Sequence, residues 1–158
     1  MKKIKLVTDT NASLPAALVE KHGIIEVPIH IQFGDEAYIT GVDIDDARLF
    51  EMIDERGVLP TTAAPSPSAF EAAYQKALDQ GAEQIICVCC SSEVSATFNA
   101  ANMATEQFPE ADITVVDSKQ LSLAEGFQVL AAAEAIDQGK SRDAILALIE
   151  SVRVRTDV

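Results

Sequence analysis

Short apolar runs alternate along the chain with longer segments whose apolar residues recur at helical spacing. Three runs that end in polar residues predict buried strands, at residues 4–8, 84–90 and 113–116. Proline near the start or glycine just past the end predicts helices at residues 15–23, 66–81 and 123–138, and Ser141 caps a last helix. An alanine-rich segment predicts a further helix at residues 94–108. Strands separated by helices predict a parallel sheet covered on both faces. The fold class expected is therefore α/β, a three-layer sandwich with a mainly parallel sheet.

The segment between the first two long helices has a different pattern. Residues 24–33 alternate apolar and polar side chains, which predicts one half-covered strand. Gly34 and Asp35 can turn this strand back into residues 36–40, and Asp45 can cap a short helix. Residues 60–65 are predicted to be a loop.

Length and charge limit the classes of function. The 158 residues carry a formal charge of −13, with 48% apolar residues, which predicts one globular domain over residues 1–158 that repels nucleic acid. No uncharged run approaches the roughly 20 residues of a membrane span, and the first residues lack the apolar stretch of a signal peptide. A cytoplasmic protein without a membrane span is expected.

Polar clusters fall where the predicted strands lead into helices, which is the functional edge of a parallel sheet. The clusters are Asp9-Thr10-Asn11, Thr61-Thr62, Ser91-Ser92 with Ser95, and Asp117-Ser118. No glycine-rich phosphate loop accompanies them, and Lys119 is the one fixed cation in these loops. Hydroxyl and backbone donors at this edge suit a single carboxylate, although serine and threonine before a helix also serve as simple N-caps.

Other chemistry has less support in the sequence. Cys87, Cys89 and Cys90 lack zinc-knuckle spacing and are predicted to pack in the core, and neither His22 nor His30 is expected to pair with a nucleophilic serine. An aspartyl-phosphate enzyme would use an aspartate placed like Asp9. Such enzymes keep an acid two residues later, where this chain has Asn11, which cannot transfer a proton.

Taken together, the loops resemble the DegV family of bacterial fatty-acid-binding proteins. The matching segments are Val7-Thr8-Asp9-Thr10-Asn11-Ala12-Ser13-Leu14-Pro15, Tyr38-Ile39-Thr40-Gly41-Val42-Asp43-Ile44, Pro60-Thr61-Thr62-Ala63-Ala64-Pro65-Ser66, Ser91-Ser92-Glu93-Val94-Ser95-Ala96-Thr97 and Val116-Asp117-Ser118. Their order and spacing across nearly the whole chain make the resemblance specific. It extends to the family's N-terminal domain only, because family members are about twice this long.

The resemblance implies a protein that holds one long-chain fatty acid and presents it to a separate ATP-dependent fatty acid kinase. It implies carboxylate binding by Thr62 and Ser92, supported by Ser91, Ser95 and Thr61. Asp9, Thr10, Asp117 and Ser118 would form a secondary head-group loop. No catalytic residue, cofactor or metal is implied.

Two departures from the family pattern change the expectation. Ala63-Ala64 and Ala96 replace a polar pair and a glycine, which removes possible hydrogen bonds from the head-group loop. The sequence covers only the family's N-terminal domain, so either the chain is a truncated or split member, or a homo-oligomer or a separate C-terminal-domain subunit covers the acyl groove. The alternatives are a small phosphatase or phosphotransferase that uses Asp9, and a pure interaction domain.

Overall fold

The computed structural model describes residues 2–156, which form two sheets and six α-helices. The strands are β1 (Ile4–Asp9), β2 (Ile25–Val27), β3 (His30–Phe33), β4 (Glu36–Ile39), β5 (Thr61–Ala63), β6 (Gln84–Cys89) and β7 (Ile113–Asp117). The helices are α1 (Ala16–His22), α2 (Asp46–Arg56), α3 (Pro67–Asp79), α4 (Thr97–Thr105), α5 (Ser122–Asp137) and α6 (Arg142–Arg153), with a short 3₁₀ helix at Thr10–Ala12.

The main sheet has the strand order β2-β1-β6-β7, and all of its pairs are parallel. Alternate residues of β1 point to opposite faces, so Val7 packs with Phe70 and Tyr74 of α3 while Leu6 packs with Val129 of α5 and Ile145 of α6. Helices therefore cover both faces. The predicted three-layer α/β sandwich with a mainly parallel sheet is confirmed.

The prediction of one strand over residues 24–33 is wrong. The segment divides into β2, at the edge of the parallel sheet, and β3, the centre of an antiparallel sheet ordered β4-β3-β5. Pro28 lies at the break, and proline has no N–H to contribute to a ladder. The N–H of Ile29 instead donates to Thr10 Oγ1 at 3.0 Å, which fixes the chain where it changes sheets.

The loop predicted at residues 60–65 contains β5, whose Thr62 is paired with Ile31 of β3. The sequence does not reveal this strand, because all three of its residues are exposed and show no alternation of buried and exposed positions. The start of α4 also differs from the prediction: Val94 N and Ser95 N donate to Ser91 O in a turn, and the helix begins at Thr97.

Three predicted helix caps are confirmed, because each side-chain oxygen accepts a backbone N–H from the first turn. Asp45 caps α2, Ser66 caps α3 and Ser141 caps α6. The cysteine thiols are all buried, and Cys87 and Cys89 belong to the core beneath α3 and α4. Among residues 2–156, no helix is both long and apolar enough to span a bilayer.

Candidate functional site

Hydrogen bonds tie the loops that follow β1, β6 and β7 to one another at the carboxyl edge of the parallel sheet. Cys90 N donates to Asp9 Oδ2 at 2.9 Å, and Ser118 N donates to Cys89 O at 2.9 Å. Ser91 N donates to Gln120 O at 2.9 Å. The clustering of these loops follows from the parallel strand order, as the sequence predicts.

A cleft of about 390 Å³ opens between these loops and β5. Two hydroxyls, one amide and one thiol line it together with apolar side chains. The lining residues are Asn11, Ile29, Thr62, Ala63, Ala64, Cys90, Val94, Ser95, Ala96 and Leu121. None of these described lining residues is charged, so any polar ligand group would meet neutral hydrogen-bonding partners.

Thr62 and Ser95 are the predicted carboxylate-binding residues that line this cleft. Thr62 lies on β5, which pairs with β3 along one edge only and therefore has a free edge. Ser95 Oγ lies 2.8 Å from Thr97 Oγ1 and accepts a hydrogen bond from Thr97 N at 3.3 Å. The two hydroxyls approach the cleft from opposite elements, β5 and the turn before α4.

Ser92 is not among the residues that line the cleft. Its hydroxyl donates to Asp117 Oδ2, and its N–H donates to Asp117 Oδ1 at 3.1 Å. Lys119 Nζ lies 3.0 Å from the same carboxylate. Burial raises the pKa of Asp117, but the hydrogen bonds from Ser92 and Lys119 outweigh burial and lower the pKa overall. Ser92, Asp117 and Lys119 thus form a network of their own.

The other predicted hydroxyls also take part in bonds within the loops. Ser91 Oγ accepts from Glu93 N at 3.3 Å, and Ser118 Oγ donates to Gln120 O at 3.1 Å. Thr10 Oγ1 lies 2.8 Å from Thr40 Oγ1, so it links the 3₁₀ helix after β1 to the segment after β4. Thr61 is exposed on β5 and, like these three, does not belong to the cleft lining.

Asp9 is fully buried beneath the cleft, where three donors surround its carboxyl group. Oδ1 accepts from Asn11 N at 3.0 Å and from Asn11 Nδ2 at 2.8 Å, while Oδ2 accepts from Cys90 N. Burial raises the pKa of Asp9 although these hydrogen bonds oppose the shift. Asp9 therefore holds two residues that line the cleft without lining it itself.

Glu125 of α5 is a second buried carboxyl next to Asp9. Thr8 Oγ1 donates to its Oε1 at 3.4 Å, whereas Oε2 is buried with no hydrogen-bond partner among the described residues. Burial, together with the nearby charge of Asp9, raises the pKa of Glu125 to about 10. Glu125 is therefore neutral at physiological pH.

The carboxyl oxygens of Asp9 and Glu125 and the Sγ of Cys90 lie within 4.8 Å of one another, a spacing at which they could hold a metal ion. The Cys90 thiol is protonated, because burial, with the charge of Asp9, raises its pKa to about 12. A thiol and two carboxyls are possible ligands of a divalent cation, which would have to displace the protons of Cys90 and Glu125.

Sequence reasoning missed several residues of the site. The sequence places Asn11 in a polar cluster at the functional edge without a binding role and predicts that Cys90 packs in the core, yet both residues line the cleft. Glu125 was not singled out, although a charged residue within an apolar helical segment is an available signal. Ile29 and Leu121 carry no signal of this kind, because their place in the cleft depends on how the loops fold.

Comparison with known proteins gives the family. The family model described as "Uncharacterised protein, DegV family" matches residues 3–158. The chain belongs to the DegV family. The resemblance found in the sequence motifs is thereby confirmed. A DegV domain-containing protein of Clostridium perfringens is 35% identical over 139 residues, which is 88% of this chain and 50% of that protein.

Solved structures of DegV proteins share the fold. A DegV family protein from Thermus thermophilus, whose structure is described as showing fatty acid binding, superposes with a TM-score of 0.87 at 34% identity. DegV of Bacillus subtilis, described as a fatty acid binding protein, gives 0.89 at 30% identity. In both cases 97% of this chain and 54% of the other is covered. The chain thus spans about half the length of the DegV proteins that it matches.

Proposed function

We propose that the protein binds a long-chain fatty acid in the cleft, with the carboxyl group near Thr62 and Ser95. The observation that carries this proposal is the cleft lining, which places two hydroxyls among apolar side chains. An amphipathic ligand needs this combination, since polar groups fix the head and apolar groups bury the chain. The DegV proteins of T. thermophilus and B. subtilis, described as fatty acid binding, support the same ligand class.

Neutral donors would hold the head group within this chain. Lys119 is paired with Asp117 outside the cleft lining, so hydroxyls and backbone N–H groups are the donors at hand. The free edge of β5 adds backbone groups beside Thr62. A hydrogen bond to a charged group contributes roughly 1.5–3 kcal/mol, so two or three of them suffice to orient a carboxylate.

The acyl chain would supply most of the affinity. Burial of about 14 methylenes at roughly 0.8 kcal/mol each gives about 11 kcal/mol before the cost of ordering the ligand. The cleft is open, so the described residues would recover part of this free energy. The remainder would come from whatever covers the cleft, such as a second copy of the chain or a unit corresponding to the half of the relatives that this sequence does not span.

The proposed role is that of a carrier that presents the carboxyl group to a fatty acid kinase and performs no chemistry itself. Asp9, the candidate nucleophile of the enzymatic alternative, is fully buried and accepts three hydrogen bonds. A nucleophile needs access to its substrate, and Asn11 is no acid. A magnesium-dependent release of phosphate from an aryl phosphate, lost in Asp9→Asn, would instead support the phosphatase alternative.

Binding by the purified protein tests the proposal. An organic extract of the native protein should contain long-chain fatty acid by mass spectrometry. Thr62→Ala and Ser95→Ala should each weaken fatty acid affinity about ten- to a hundredfold, as loss of one hydrogen bond to a charged group predicts. Ser151→Ala, on the exposed face of α6, is the control. No lipid in the extract and unchanged affinity in both cleft variants would contradict the proposal.

A further inference from the structure

We propose that Thr97 is a positioning residue of the cleft: its buried hydroxyl donates to Ser95, so that the Ser95 hydroxyl can only donate to a ligand. The cleft then selects head groups that accept hydrogen bonds, such as a carboxylate, over head groups that only donate them, such as an alkylammonium. The inference rests on the proposed function, because it assigns the head-group preference of the proposed binding cleft. The contacts of the two hydroxyls carry it.

The Thr97 hydroxyl has one acceptor for its proton. Thr97 is fully buried in the first turn of α4, and its Oγ1 lies 2.8 Å from Ser95 Oγ, its one hydrogen-bond partner among the described residues. A buried donor without a partner is costly, so the proton of Thr97 points to Ser95 Oγ. The opposite direction, from Ser95 to Thr97, would leave that buried proton unpaired.

Cys90 is the neighbour that could compete as an acceptor, because both hydroxyls interact with its Sγ. That sulfur already accepts a hydrogen bond from Asn11 Nδ2 at 3.4 Å. A thiol sulfur is also a weaker acceptor than a hydroxyl oxygen. Ser95 Oγ is therefore the better partner for the Thr97 proton.

This direction leaves Ser95 as a donor only. A hydroxyl oxygen has two lone pairs, and both lone pairs of Ser95 Oγ are used, one by Thr97 N at 3.3 Å and one by the Thr97 hydroxyl. The proton of Ser95 then has no acceptor among the described residues, and Ser95 lines the cleft. It is therefore the proton that a head group in the cleft would meet.

The other polar side chains of the lining increase the importance of the Ser95 proton. Asn11 gives both of its Nδ2 hydrogens to Asp9 and Cys90, so it has none left for a ligand. Thr62 is exposed on β5, and its hydroxyl can rotate to donate or to accept. Ser95 is thus the fixed donor of the lining, and a head group that only donates would meet a proton there instead of a lone pair.

Hydroxyl-proton NMR on the ligand-free protein is the direct test. The Thr97 hydroxyl proton should give a slowly exchanging signal, because it is buried and bonded. In Ser95→Ala this signal should shift and exchange faster, because its acceptor is gone. The Ser95 hydroxyl proton faces the cleft and should exchange too fast to be seen. A slowly exchanging Ser95 proton beside a rapidly exchanging Thr97 proton would overturn the inference.

Ligand selectivity supplies the second arm, as the ratio of palmitate affinity to hexadecylamine affinity. Thr97→Val keeps the shape of the side chain and removes the hydroxyl, which frees a lone pair of Ser95 to accept from the amine. We expect the ratio to fall about tenfold or more, the value of one hydrogen bond to a charged group. Thr97→Ser keeps the donor and should keep the wild-type ratio. Thr105→Val is the matched control, because the Thr105 hydroxyl lies on the same helix and donates to Asn102 O outside the cleft lining.

The outcomes separate this inference from the proposed function. A wild-type protein that binds no palmitate would contradict the proposed function, while NMR of the ligand-free protein would still decide the direction of the hydrogen bond, even if Thr97→Val does not fold. A ratio that Thr97→Val leaves unchanged, or that Thr97→Ser lowers equally, would overturn the inference. A purely structural role would change the melting temperature of Thr97→Val without changing the ratio, because both ligands bind the same variant.

Discussion

Whether a hydroxyl is free to bind a ligand depends on the hydrogen bonds that it already makes within the protein. Ser92 and Ser95 lie three residues apart in one loop, and the family resemblance favours Ser92 as the carboxylate ligand with Ser95 in support. Ser95 lines the cleft, whereas the Ser92 hydroxyl and N–H both donate to Asp117. The motif predicts that the loop matters, but it carries no information about which hydroxyl turns toward Asp117.

Ser92→Ala separates ligand binding from loop structure. The sequence motif predicts weaker fatty acid binding, and the contacts predict a loss of stability because Asp117 loses a donor. We expect a loss of roughly 1–3 kcal/mol in the free energy of unfolding, measured by urea denaturation, with a smaller effect on affinity than Ser95→Ala. An affinity loss in Ser92→Ala as large as that in Thr62→Ala, at unchanged stability, would place the carboxylate at Ser92 after all.

Glu125 should make stability depend on pH. Its pKa is raised from an ordinary 4.5 to about 10, so the folded state binds a proton that the unfolded state has lost. The stabilisation is complete below the ordinary value and decreases as pH rises toward the folded-state value, by about 1.4 kcal/mol per pH unit. Glu125→Gln lacks this dependence. Its stability relative to wild type, from urea unfolding at several pH values near neutrality, should therefore rise with pH. A constant difference would contradict the buried, neutral Glu125.

At the level of elements, the close packing of α5 against the 3₁₀ helix sets the position of the loop after β1. Gly126 makes this approach possible, because a Cβ there would lie 2.5 Å from Ala12 O and 3.3 Å from Leu14 Cδ2. The obstacle is a backbone atom, which cannot rotate away. Gly126→Ala would therefore push α5 away from the segment that carries Asp9 and Asn11.

Gly126→Ala should destabilise the protein by roughly 1–3 kcal/mol, the usual cost of overpacking, measured by chemical denaturation. Helix propensity alone predicts the opposite sign, a gain of about 1 kcal/mol for alanine over glycine inside a helix. The sign of the change in the free energy of unfolding therefore distinguishes overpacking from helix propensity without a further variant. A more stable Gly126→Ala protein would show that the contact with Ala12 is easily relieved.

Elements whose stability comes from burial or from a local cap could be predicted from the sequence. α3 is an example, with Ser66 as its cap and Phe70 and Tyr74 on its buried face. β5 could not be predicted, because its residues are exposed and its strand character comes from pairing with β3. The division between β2 and β3 was also missed, since the apolar alternation continues across Pro28 and hides the change of sheet.

For the whole molecule, apolar surface and net charge act in opposite directions. Leu123 and Phe127 lie one turn apart on α5 and are each about half exposed, at 53% and 52%. Exposed apolar pairs of this kind favour association, while a charge of −13 opposes the approach of like copies. The chain also spans about half the length of the DegV relatives that it matches.

We therefore expect the 158-residue chain to self-associate at micromolar concentration, and more strongly as salt is added. Salt screens the repulsion between charged surfaces and leaves apolar burial in place. Light scattering should give a mass above that of one chain, and Phe127→Ser should reduce it while the protein stays folded, because the side chain is half exposed. Phe50→Ser is the matched control, since Phe50 is an exposed phenylalanine of α2, at 65%. A wild-type protein that stays monomeric at high salt, or equal effects of the two substitutions, would show that the apolar face of α5 does not drive assembly.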